Sequence, residues 1–129
     1  MKPITSRDNP LVKTLKRLGQ SARARREEGL TVLDSIHLVT AAEAAGLVLQ
    51  TLVVSESGLQ QPEIAAFVAN RDGVVLPDAL YRDCAVVEHP SGLMAVATMP
   101  APSLPDPTID SVVLDGIQDP GNVGTLIRT

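Results

Sequence analysis

Leu11, Val12, Leu15 and Leu18 recur at the three- and four-residue intervals that gather side chains on one face of a helix, leaving Lys13, Lys16 and Arg17 on the others. Asp8 or Asn9 caps the start, and Pro10, which has no amide hydrogen to lose, suits the first helical position. The polar, charged tract from Gln20 to Gly29 fits either an extension of that helix or a basic loop. From Leu30 onward the pattern changes. Short apolar runs alternate with helical stretches, as an α/β domain requires. Strands are expected over 30–33, 51–54, 74–76 and 93–98. Between them fall three helices. The first is capped by Asp34 or Ser35, carries Ile36, Leu38, Val39 and Ala42, and ends near Gly46. The second begins at Pro62 and turns Ile64, Phe67 and Val68 inward. The third is a short helix over 78–85, and the turn at His89, Pro90, Ser91 and Gly92 leads into the last strand.

Residues 100–109 carry four prolines at near-alternate positions, which removes backbone donors and favours a stiff, extended connection. This predicts a domain over 1–99, a linker over 100–109, and the opening strand, turn and helix of a second domain over 110–129. Val112, Val113 and Leu114 read as a buried strand. Asp119, Pro120 and Gly121 read as a turn, and Asn122 as the cap of a helix holding Leu126 and Ile127. A lone βα unit cannot bury both of its apolar faces, so the chain reads as a fragment whose end is either poorly ordered or packed against another molecule.

Length and composition narrow the class. A chain of 129 residues suits a soluble domain able to bury a real core. No apolar run approaches the ~18 residues of a membrane span, and MKPITSRDNP lacks a signal-peptide core, so a cytoplasmic location and no membrane partner are expected. Cys84 is the only cysteine, so it reads as a small buried hydrophobe, and no cluster has metal-ligand spacing. Net charge is −4, but it divides sharply. Residues 1–30 carry a net +5 and the remainder a net −9. Concentrated cations gain by displacing counterions from a phosphate backbone, which makes Arg7, Lys13, Lys16, Arg17, Arg23, Arg25 and Arg26 the candidate RNA contacts. Phe67 and Tyr81 are the only aromatics, too few to stack splayed bases, so recognition should rest on RNA shape and phosphates. His37 and His89 stand isolated and suggest no catalytic pair.

The terminal turn fits neither common nucleotide loop. Gly116 and Gly121 have P-loop spacing, but Asn122 and Val123 stand where Lys and Ser or Thr must hold phosphate and magnesium. In the dinucleotide fingerprint only the interval from Gly121 to Gly124 is kept. On a helix begun at Asn122, Gly124 and Arg128 share a face, so the missing side chain leaves room beside the guanidinium.

The stretch LDGIQDPGNVGTLIRT closely resembles the first motif of the SpoU (TrmH-type) branch of SPOUT RNA methyltransferases. ITSRDNPLVKTLKRL is similar to that family's N-terminal opening, and HPSGLMAV to the close of its substrate-binding module. Asp34 and Ser35 depart from the pattern, since many relatives have Glu and Gly there, and Ser91 falls where Gln is common. The resemblance implies a small ribosomal-protein-like α/β/α substrate-binding domain followed by the first βα unit of a truncated trefoil-knot SPOUT domain. It implies methylation of a ribose 2′-hydroxyl in rRNA or tRNA, with S-adenosylmethionine as cofactor of the full-length protein and homodimerisation through the catalytic domain. Asn122 and Arg128 occupy the motif's active-site positions. Arg128 is poorly matched to general-base work because its pKa lies above about 12, and suits phosphate positioning and alkoxide stabilisation. No cofactor-binding residue is expected within this chain, which should bind RNA and be inactive alone. The competing expectation is a non-enzymatic RNA-binding module of ribosomal-protein type.

Overall fold

The computed structural model describes residues 1–129. A two-residue strand, β1 (Lys2–Pro3), precedes helix α1 (Pro10–Gln20). The apolar pattern does not foreshadow β1, because both of its residues are exposed and only backbone pairing defines it. In α1, Asn9 and not Asp8 is the cap: its Oδ1 accepts the Leu11 amide at 2.9 Å, with Pro10 opening the helix. Val12, Leu15 and Leu18 are completely buried. The tract after Gln20 resolves as a helix, α2 (Ala22–Glu28), whose Ser21 cap accepts the Ala24 amide at 3.1 Å. Gly29 ends it in the left-handed conformation, at φ 63°.

There follow β2 (Leu30–Asp34), α3 (Ile36–Ala44), β3 (Leu49–Ser55), a single 3₁₀ turn (Gly58–Gln60), α4 (Pro62–Val68), β4 (Gly73–Leu76), α5 (Asp78–Cys84), β5 (Leu93–Thr98) and α6 (Pro120–Arg128). Strand β2 takes up Asp34, so the cap of α3 falls to Ser35, whose Oγ accepts the Leu38 amide at 3.4 Å. Ser35 sits at φ 99°, ψ 151°, a region close to glycine's own.

The sheet order is β1-β4-β3-β5-β2. β1, β4 and β3 pair in parallel, while β5 runs antiparallel to both β3 and β2. The carboxyl ends of β1 to β4 therefore share one edge with the start of β5. Alternating side chains divide the core. Val53, Val74, Leu76, Met94 and Val96 meet α1 and α5 on one face. Leu52, Val54, Leu93 and Ala95 meet α3 and α4 on the other. Helices thus cover both faces of one mixed sheet, the α/β/α layering expected.

Two expectations for the terminal segment are corrected. Residues 112–114 form no strand, and Val112 and Val113 are 85% and 87% exposed, because no strand edge lies within reach to pair with them. The cap of helix α6 lies three residues earlier than expected. Asp119 is its cap, accepting the Gly121 amide at 2.9 Å, so Asn122 lies inside the first turn. No residue of α6 is buried. Residues 100–109 carry neither helix nor strand.

Candidate functional site

The basic residues of the N-terminal segment converge on α1, α2 and the near end of α5, but most face an acid. Arg7 and Lys16 reach Asp83 of α5 at 3.3 and 3.5 Å, Lys13 reaches Asp8 at 3.2 Å, and Arg23 reaches Glu27 at 2.6 Å. Arg17 clips α1 to α2 through two bonds to Glu28, at 2.7 and 3.0 Å. Arg25 donates to the Leu18 carbonyl at 2.6 Å and so satisfies the end of α1. Only Arg26 of the seven has neither an ion pair nor a side-chain hydrogen bond. Arg7 and Arg23 remain 73% and 83% exposed beside their partners. Exposed pairs of this kind contribute about 0–1 kcal/mol, so a phosphate can replace the carboxylate at little cost.

At the other end of the chain, Arg128 lies in the last turn of α6, exposed and without an ion pair. A side chain at Gly124 would touch its Nη2 at 3.7 Å, so the guanidinium folds back over the glycine, as the spacing implies. Asn122, exposed, lies in the first turn of the same helix. The basic face and this motif lie on separate elements, and no ion pair or side-chain hydrogen bond joins them.

A third feature escapes the sequence pattern because it draws on three separated segments. At the carboxyl edge of the sheet, a polar cleft of about 380 Å³ opens between residues 55–61, the start of α5 and the turn at 88–92. Gly58 and Gly92 make it possible: a Cβ on Gly58 would run into the Gly92 carbonyl, and Gly92 itself sits at φ 97°. Ser55 accepts the Gly58 amide at 2.9 Å, and Asp78 accepts the Ser57 amide at 2.9 Å. That backbone donor, ahead of the Ser57 hydroxyl, holds the Asp78 carboxyl below the usual carboxylate range. Tyr81 lines the cleft, and burial pushes its phenol well above the ordinary tyrosine range, with the Asp34 charge acting in the same direction. Asp34 accepts the Ser91 amide at 3.1 Å, yet its Oδ2 and the Tyr81 hydroxyl are both buried without a partner.

Residues 9–95 match the MRM3-like substrate binding domain family. The chain belongs to this family. As an MRM3-like domain it is similar to several RNA methyltransferases. It is 31% identical to the 23S rRNA (guanosine(2553)-2′-O)-methyltransferase RlmP of Bacillus subtilis, over 100% of this chain and 50% of that protein. It is 30% identical to an uncharacterized tRNA/rRNA methyltransferase of Synechocystis, over 98% of this chain and 47% of that one. Among solved structures, an RNA 2′-O ribose methyltransferase superposes with a TM-score of 0.77 at 29% identity, covering 98% of this chain and 50% of the other. An AdoMet-bound rRNA methyltransferase from Sinorhizobium meliloti gives 0.55 at 26% identity, over 77% and 37%. The MRM3-like chain thus spans about half the length of the curated relatives it matches.

The family match covers α1 through the first half of β5, and therefore the cleft and most of the basic face of this MRM3-like domain. Asn122 and Arg128 lie beyond it, in the part that only the full-length relatives share. Cys84 is buried as expected, and burial pushes its thiol up. His37 is exposed, while His89 stands on the rim of the cleft. No helix is long and apolar enough to cross a membrane.

Proposed function

We propose that this chain recognises RNA for an S-adenosylmethionine-dependent 2′-O-methylation of a ribose in rRNA or tRNA. In this reading residues 1–99 are the substrate-binding domain, 100–109 the linker and 110–129 the opening of the catalytic domain. One observation carries the proposal. Similarity to a 23S rRNA 2′-O-methyltransferase runs through the whole chain, joining the substrate-binding domain to the terminal motif in a single alignment. The charge asymmetry supports RNA as the partner, since the cations gather on α1 and α2 while the rest of the surface is acidic.

The cofactor supplies the methyl group. Within this chain a hollow beside α6 is lined by Val112, Leu114, Leu126, Ile127 and Thr129, with no charged side chain to hold an amino acid's ammonium and carboxylate. Those residues do not fit S-adenosylmethionine, which supports a cofactor cradle built from residues other than these. The apolar hollow suits instead the docking of α6 and residues 112–114 onto the rest of a sheet. Arg128 is assigned to the RNA side of the reaction. A permanently charged guanidinium held over Gly124 stabilises a developing ribose alkoxide or fixes the neighbouring phosphate.

The test is Arg128→Ala in the full-length enzyme. Single-turnover methylation should fall by roughly two to three orders of magnitude, as for loss of one oxyanion-stabilising donor. Cofactor affinity measured by calorimetry should change little. Loss of cofactor affinity with methylation intact at saturating cofactor would refute this role.

A further inference from the structure

We propose that the cleft at the carboxyl edge of the sheet receives one unpaired nucleotide of the RNA, with Arg82 on its phosphate and Gln61 and Asp78 on its hydrogen-bond donors. The proposal rests on the reading of RNA as partner and adds where, and in what form, the RNA is read. Four observations lead to it.

The first is size. A cleft of about 380 Å³ lies in the range of small-ligand sites and is far too small for a duplex groove to enter. The second is charge. Beyond residue 30 the chain has only Arg71, Arg82 and Arg128 against twelve acids. Arg71 is taken by Glu43 at 2.6 Å and by the face of Phe67, 4.1 Å away. Arg82, on the cleft, is exposed and has no ion pair. It is the cation this acidic domain leaves free for a phosphate at that edge.

The third is unused hydrogen-bonding capacity. Gln61 gives one amide hydrogen to the Ser91 carbonyl at 3.3 Å, while its oxygen accepts nothing. Asp78 uses Oδ1 for the Ser57 amide and leaves Oδ2 free. Of the lining residues, Tyr81 has a buried hydroxyl without a partner. Buried polar atoms are normally satisfied, so this hydroxyl is a place where a polar guest gains. The cleft walls are polar, and the aromatic rings they carry are the buried Tyr81 and the His89 imidazole on the rim. The nucleotide would be held by its edges and ribose hydroxyls, the groups that an unpaired residue exposes and a duplex hides.

The fourth is position. Asp83, next to Arg82 on α5, is the residue that Arg7 and Lys16 both contact. The last turn of α5 therefore carries both a partner of the basic residues, Asp83, and a lining residue of the cleft, Arg82.

The chain should be titrated with two fluorescent RNA hairpins, identical except that one carries a single-nucleotide bulge in its stem. The bulged hairpin should bind about tenfold more tightly, in line with one or two added charge-assisted hydrogen bonds. Arg82→Ala and Gln61→Ala, both at exposed positions, should each remove most of that advantage and leave the continuous stem bound within about twofold. Reversing Lys13 and Lys16 to Glu should weaken both hairpins alike. Equal affinity of the unaltered chain for the two hairpins, or an advantage that survives both alanine substitutions, would overturn the pocket while leaving RNA as partner. Failure to bind either hairpin at low salt would overturn the RNA reading itself.

Discussion

Ser35 occupies a backbone region that side chains resist, at φ 99° and ψ 151°. It is held there because its amide donates to the Leu93 carbonyl at 3.0 Å, while Asp34 beside it anchors Ser91. The strain thus stitches the end of β2 to the start of β5. Many SpoU-type sequences have Gly at this position, which accepts the same conformation freely. Ser35→Gly should raise stability by about 1 kcal/mol in urea unfolding, since relief of the backbone exceeds loss of a 3.4 Å cap. A destabilised variant would show that the cap matters more. Asp78 carries a pH dependence. Its carboxyl is held below the ordinary value of 3.8, so its contribution is complete above that pH and lost as pH falls through the lowered value. Asp78→Asn should flatten the acid limb of a stability-against-pH curve below about pH 4 and leave its slope near neutrality unchanged.

At the scale of elements, α1 is attached by three completely buried side chains and by the Arg17–Glu28 clip to α2. Leu15→Ala should cost about 2–5 kcal/mol by thermal unfolding, the range for a buried leucine. Loss of the exposed clip through Glu28→Gln should cost at most about 1 kcal/mol. The same contrast explains what was legible in the sequence. Helices α1 and α4 and strand β5 announce themselves because periodic apolar positions meet a starting proline or a glycine turn, and each buries most of its apolar positions, with Leu11 and Phe67 only partly covered. Strand β1 was hidden because it buries nothing. The valines at 112 and 113 suggest a strand that does not form, for the opposite reason: an apolar run records what a segment tends to bury, not whether a partner lies nearby. The cleft was illegible because its walls come from three segments up to 37 positions apart, brought together by strand order alone.

Across the whole molecule, the divided charge becomes a measurable salt dependence. If four to six of Lys13, Lys16, Arg17, Arg23, Arg25 and Arg26 touch phosphates, log affinity should fall against log salt with a slope of roughly −3 to −4. The ion pairs at these positions favour the shallower end, because each acid must give up its cation first. A salt-independent affinity would exclude the basic face as the site of contact. The order of the strands bears on a different matter, the making of the protein. β5 is the last strand in the chain and the only one that joins β2 to the rest of the sheet. Until Thr98 has left the ribosome, β2 has no neighbour to pair with, and the α1 anchors and the α3 face have only part of their floor. Synthesis from the N-terminus therefore emits more than ninety residues before the sheet can close, and closes it by inserting a strand between two waiting edges. A domain built this way gains its stability late and all at once, and for most of its emergence it depends on nothing else pairing with those edges first.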